Sequence, residues 1–264
     1  MSAPMLWLSY LALGSLAGTL AGLFGIGGGL IIVPALVLAF ELQQVAPPVV
    51  MHLAVGTSLA TIVVTGASSA LGHYRRGSVH RPWLMALLPG LMLGALGGGL
   101  VADRLSSTWL GMLFGGFLVL VAARMLLDLR PVPRAQPPGR AMMMLAGGVI
   151  GGVSALFGIG GGTLSVPWLS RSGASMPQAV GTSAACGLPI ALFGAATFML
   201  VGWQQPGLPE GAMGYVMWPA FCGIVLTSVP FARLGVWLAH RLPARQLRIA
   251  FALLLAGVGV KFLI

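Results

Sequence analysis

One short stretch of this sequence has the composition to do chemistry, and it occurs twice. Gly25-Ile26-Gly27-Gly28-Gly29 followed by Val33-Pro34 returns as Gly158-Ile159-Gly160-Gly161-Gly162 followed by Val166-Pro167. Glycine inside a helix costs roughly 1 kcal/mol relative to alanine, so runs this dense need a packing or functional reason. A helix broken at each run, with Pro34 and Pro167 marking the hinge, leaves unpaired backbone N–H groups at the start of the following half-helix. Such donors suit an anion, and each helix N-terminus carries about half a positive charge, so two of them offset about one negative charge. Glycine matters because a side chain would hold a ligand away from the amides. The candidate anion contacts are therefore Gly25, Gly27, Gly28 and Gly29 in the first run and Gly158, Gly160, Gly161 and Gly162 in the second.

A second motif supplies hydroxyls. Gly56-Thr57-Ser58 recurs as Gly181-Thr182-Ser183, and all six residues are candidate substrate contacts. The competing role is structural, since Ser and Thr in membrane helices often bond their own i−4 carbonyls or a neighbouring helix. Cys186 follows Ser183 by three residues and is a candidate contact for a sulfur-bearing ligand, against the usual behaviour of a buried Cys as a small hydrophobe. After the glycines the halves differ: Leu30 is replaced by Thr163 and Ile32 by Ser165. The second half is expected to give the ligand more hydrogen bonds, with Thr163 among the contacts.

Other chemistries fail on inspection. The glycine runs do not fit G-x-G-x-x-G and lack the Lys-Ser/Thr of a nucleotide-phosphate loop. His52, His73, His80 and His240 have no metal-ligand spacing, and Cys186 and Cys222 lie in apolar segments without one, so neither metal nor cofactor is expected. Glu41, Asp103, Asp128 and Glu210 fall at segment ends or in loops. That leaves no embedded carboxylate for a proton relay and no acid–base pair for a hydrolase. No catalytic residue is assigned, and an enzyme is not expected.

The elements that hold these motifs are membrane helices. The 264 residues are 58% hydrophobic and 7% charged, against about 25% charged in a soluble domain. The first forty residues carry no charge, nor do 142–170, 172–209 or 211–232. A bilayer is crossed by about twenty apolar residues, so a run of forty must turn inside or just beyond the membrane. The net charge of +10 comes from basic residues in short loops, where it sets membrane orientation rather than binding nucleic acid. The N-terminal segment has no positive n-region and reads as a retained span.

The repeat extends beyond the glycines. Gly14, Gly18 and Gly22 correspond to Gly147, Gly151 and Ala155, with the small-xxx-small spacing of close-packed membrane helices. The expected organisation is a first transmembrane repeat at 1–127, a Pro/Arg-rich linker at 128–141 and a second repeat at 142–264. Each repeat is a Gly-broken hairpin, crossing fully or re-entrant, followed by three helices, near 48–72, 83–102 and 108–127, then 178–201, 213–233 and 244–263. The total is eight to ten membrane segments in an all-α integral membrane protein. Arg75, Arg76 and Arg81 place the loop at 73–82 inside, the linker is then also inside, and the loop at 202–212 is outside. The first repeat then begins outside and the second inside. Inverted repeats of this kind are typical of secondary transporters whose site lies near the midplane where the repeats meet.

Both Gly-Ile-Gly-Gly-Gly segments (Gly25 to Pro34, Gly158 to Pro167), both Gly-Thr-Ser segments and His73-Tyr74-Arg75-Arg76-Gly77 together resemble the TauE/SafE family of sulfite exporters, over nearly the whole chain. The resemblance implies transport of a small, often sulfur-containing anion such as sulfite, thiosulfate or an organosulfonate across a prokaryotic cytoplasmic membrane. The implied partners are that anion and the lipid bilayer. A channel-like anion facilitator and a non-transporting assembly subunit are the alternatives. Substrate, direction, coupling ion and oligomeric state, a homo-oligomer included, stay open at this point.

Overall fold

A computed structural model describes residues 3–24, 28–127, 138–239, 241 and 243–264. Gly25, Gly27 and residues 128–137 of the linker lie outside the described residues. The described residues form ten helices and one two-stranded ladder: α1 (Ala3–Phe24), α2 (Gly29–Leu42), α3 (Pro47–Arg75), α4 (Arg81–Arg104), α5 (Ser107–Leu126), α6 (Arg140–Leu156), α7 (Gly162–Arg171), α8 (Met176–Val201), β1 (Ala212–Met213), β2 (Val216–Met217), α9 (Trp218–Ala239) and α10 (Ala244–Leu263). Among the described residues, five helices, α3, α4, α5, α8 and α10, contain stretches long and apolar enough to cross a membrane. The molecule is an all-α integral membrane protein.

Helices lie within a few residues of the expected spans except α9. It begins at Trp218 rather than near 213 because Gly211 and Gly214 adopt positive φ (+86° and +56°) and fold residues 212–217 into an antiparallel hairpin. Gly214 also lies too close to the Met199 carbonyl for any side chain, the ideal Cβ falling 2.1 Å from that oxygen. The tight turn therefore requires glycine twice over.

Helix α1 packs on α9 and α4 on α6; α3 packs on α8 and α5 on α10; α2 lies on α3 and α7 on α8. Replacing each of the first five helices by the one five places later returns the same set of pairs. The small-residue stripes explain the closest of them. An ideal Cβ at Gly14 or Gly18 would fall 2.7 and 2.6 Å from the Cα atoms of Ile224 and Ser228, and at Gly147 or Gly151 it would fall 2.4 and 2.3 Å from the carbonyl oxygens of Leu87 and Leu91. Backbones this close gain dispersion that lipid cannot supply, which is the main attraction between helices in a solvent as apolar as their own surfaces.

Helices α2 and α7 have 14 and 10 residues, about 21 and 15 Å at 1.5 Å per residue. Neither spans the ~30 Å hydrocarbon core unaided. The Tyr10 hydroxyl of α1 donates to Gln43 Oε1 just after α2, at 2.7 Å, so α1 and α2 form a hairpin with both open ends on one side.

Candidate functional site

The second glycine run is a turn between α6 and α7, built from two left-handed residues. Helix α6 ends in a Schellman motif: Ile159 N–H donates to the Ser154 carbonyl at 2.9 Å and Gly158 N–H to the Ala155 carbonyl at 3.3 Å, with Gly158 at φ +68°. Only glycine adopts that φ without strain, and the motif satisfies carbonyls that would otherwise end the helix unpaired. Gly161, at φ +76° and ψ −16°, then caps α7. Its carbonyl accepts from Leu164 N–H at 3.0 Å and Ser165 N–H at 2.7 Å. Gly162 and Thr163, ahead of those bonds, have no intrahelical acceptor for their N–H groups.

In the first run Gly28 occupies the equivalent cap, and its carbonyl accepts from Ile31 and Ile32 at 3.0 and 2.9 Å. It does so in a right-handed conformation, φ −49° and ψ −15°. The two runs touch: an ideal Cβ on Gly29 would lie 2.4 Å from the Gly158 carbonyl oxygen and 2.7 Å from Ile159 Cα. Pro34 and Pro167 lie inside α2 and α7, several residues after the turns; each removes a helix N–H and so frees the carbonyl four residues back, at Leu30 and Thr163.

The junction is gripped by α3 and α8. Ser58 Oγ donates to the Gly158 carbonyl at 2.8 Å. On α8, Gly187 lets the Gly160 carbonyl approach to 2.5 Å of where a Cβ would stand, and Ile190 Cδ1 covers Gly161. Ser183 lies one helical turn before Gly187, on the same face; its hydroxyl is buried and has no partner among the described residues. Cys186 is fully buried in a cluster with Leu87, Leu91, Ala155 and Ile190.

The two threonines do the same structural task in opposite halves. Thr57 Oγ1 accepts from Met217 N–H at 2.9 Å, just ahead of α9. Thr182 Oγ1 accepts from His80 N–H at 2.9 Å, just ahead of α4. The preceding glycine makes room: a Cβ on Gly56 would meet the Tyr215 carbonyl oxygen at 2.1 Å, and one on Gly181 the Ser78 carbonyl oxygen at 2.6 Å. Each Gly-Thr pair thus receives a carbonyl and, two residues later, an N–H from the segment entering a helix of the other half. His52 stacks on Tyr215 at 5.0 Å and its Nε2 lies 2.9 Å from the Ala102 carbonyl. Burial, with the negative charge of Asp103 nearby, pushes the Tyr215 phenol up from its ordinary value.

Two more hydroxyls stand beside the Gly161 cap, those of Ser165 and Ser154. Both are fully buried, and neither hydroxyl has a partner among the described residues. The sequence had already marked Ser165 as the polar replacement of Ile32; it did not mark Ser154, whose only signal was its register, 133 positions after Ala21.

The model of the sulfite exporter TauE/SafE family matches residues 10–262. A probable membrane transporter protein of Haemophilus influenzae is 38% identical over 252 residues, covering 95% of this chain and 96% of that one. One from Xylella fastidiosa is 33% identical, covering 94% and 91%, and one from Methanocaldococcus jannaschii is 27% identical, covering 95% and 93%. No solved structure matches the chain. With helices long and apolar enough to cross a membrane and a family match along nearly its full length, the chain belongs to the TauE/SafE family of membrane transporters.

Proposed function

We propose that the protein is a secondary transporter for a small, sulfur-containing anion such as sulfite, thiosulfate or an organosulfonate, with its site at the junction of the two glycine runs. The carrying observation is the contact between those runs, Gly29 against Gly158 and Ile159. Helices α2 and α7 together measure about 36 Å, close to the ~30 Å core, so two re-entrant hairpins entering from opposite faces would meet near mid-depth. Irregular backbone there is tolerated only when buried in protein or lining an aqueous path. The exchange symmetry of the packing pairs supports two matched repeats, and the odd number of helices after each hairpin, with Arg75, Arg76 and Arg81 in the loop after the first of them, supports opposite orientations across a cytoplasmic membrane, related by rocking about the junction. Gly25 and Gly27 belong to this proposed site by register with Gly158 and Gly160; Gly28, Gly162 and Thr163 belong to it as the helix starts that flank the contact.

Purified protein in proteoliposomes should take up radiolabelled sulfite or thiosulfate saturably, and unlabelled anion inside should accelerate entry. Flux that never saturates and shows no counterflow would instead describe a channel. Folded protein that moves none of these anions would overturn the proposal.

A further inference from the structure

The two glycine caps stand in the same register but in opposite surroundings. At Gly28 the place where a Cβ would lie is bounded by Ile32 Cδ1 at 3.0 Å and Ala21 Cβ at 3.6 Å. At Gly161 the same place is bounded by Ser165 Oγ at 3.4 Å and Ser154 Oγ at 3.7 Å. Ala21 and Ile32 are the positions that match Ser154 and Ser165, each 133 residues earlier. The first half shows that an apolar pair can fill this place beside a cap. The second half has buried two hydroxyls there, both without a partner among the described residues. An unsatisfied buried hydroxyl costs roughly 1–3 kcal/mol, so the pair is destabilising unless something accepts its hydrogens.

Both hydroxyls flank the N-terminus of α7, where the Gly162 and Thr163 N–H groups also lack intrahelical acceptors. Two hydroxyls and two amides offer hydrogens at this place, and their complement is an acceptor with several oxygens. The place holds little charge. Helices α3 and α8, which grip the turn, carry between them one Lys, Arg, Asp or Glu, Arg75 at the far end of α3. Arg140 and Arg171 stand at the remote ends of α6 and α7, about 21 and 15 Å along their helices. Compensation is thus limited to a helix N-terminus worth about half a unit charge. Desolvation of an ion grows with the square of its charge, so a second negative charge would go without a counter-ion at the depth where that costs most.

Resting on the transport reading above, we propose that Ser154, Ser165 and the first amides of α7 form an oxoanion half-site selective for singly charged headgroups. The matching place in the first run is lined by apolar atoms, Ile32 Cδ1 and Ala21 Cβ. Ile190 Cδ1, 2.7 Å from the Cβ position on Gly161, seals the half-site in the state described, and an anion enters when that side chain or α8 moves.

Proteoliposome uptake of radiolabelled methanesulfonate by the full-length protein tests this, with sulfate as competitor and melting temperature as a second readout. Two hydrogen bonds to an anion correspond to at least about a tenfold rise in KM on their loss. S154A/S165A should show that rise with melting unchanged or raised, S165T should stay near wild type, and A21S should leave KM within about twofold. Sulfate should compete at least about tenfold more weakly than unlabelled methanesulfonate. Wild-type KM in S154A/S165A, or a rise in KM matched by a fall in melting temperature, overturns the half-site while wild-type uptake still upholds transport. Equal competition by sulfate overturns the charge selectivity. A folded wild type that takes up neither methanesulfonate, sulfite nor thiosulfate overturns the transport reading and the half-site with it.

Discussion

At the residue scale, the Gly-Thr-Ser motif divides its labour. Thr57 and Thr182 were legible as hydroxyls in a repeated motif, and the sequence suggested a ligand as well as a helix neighbour for them. Their oxygens accept from Met217 and His80, 160 and 102 residues away; no local pattern announces a partner at that distance. Thr57→Val or Thr182→Val should each leave a backbone N–H without its acceptor and lower stability by about 1–3 kcal/mol. Thr→Ser at either place should recover most of the loss. Thermal melting in detergent measures both, and equal melting of the Val and Ser variants would mean the hydroxyls hold nothing. Gly56→Ala should be worse than either, because its Cβ would meet the Tyr215 carbonyl at 2.1 Å and the entry to α9 must shift to admit it.

At the element scale, the short helices set the topology. Composition alone located nearly every helix, because an uncharged run of about twenty residues has few alternatives in a bilayer. It could not tell a full crossing from a re-entrant hairpin, since the apolar run continues through both arms and the turn. Lengths of 14 and 10 residues for α2 and α7, with the Tyr10–Gln43 bond closing the first hairpin, favour the re-entrant form. Either form returns the chain to the side it left, so the sidedness of the loops follows from the three helices after each hairpin and from Arg75, Arg76 and Arg81. The exposed Gln204, after α8, should lie outside and the exposed Arg76, after α3, inside. In intact cells a membrane-impermeant maleimide should label Q204C, whereas R76C should react only after permeabilisation. Labelling of both in intact cells would remove the inverted arrangement.

At the scale of the whole molecule, packing is symmetric and polarity is not. The α1–α9 and α4–α6 pairs are the rigid parts, since their glycines bring backbones into direct contact: a Cβ on Gly18 would stand 2.6 Å from Ser228 Cα, and one on Gly94 2.1 Å from the Gly148 carbonyl. The glycine stripe was legible as a packing signal, but its partners were not, because spacing shows which face is flat and not what lies on it. Packing and site therefore respond to different substitutions. Gly18→Val and Gly94→Val must separate whole helices, and the lost contacts along each pair should cost more than about 3 kcal/mol. Both variants should give little monodisperse protein, to a similar degree, as equivalent interfaces demand. Gly97→Val and Gly116→Val, with nothing within 4 Å of the added Cβ, should purify and melt like the parent. If Gly94→Val folds normally while Gly97→Val does not, the α4 face assigned to α6 is the wrong one, and the exchange symmetry that relates the two halves fails with it.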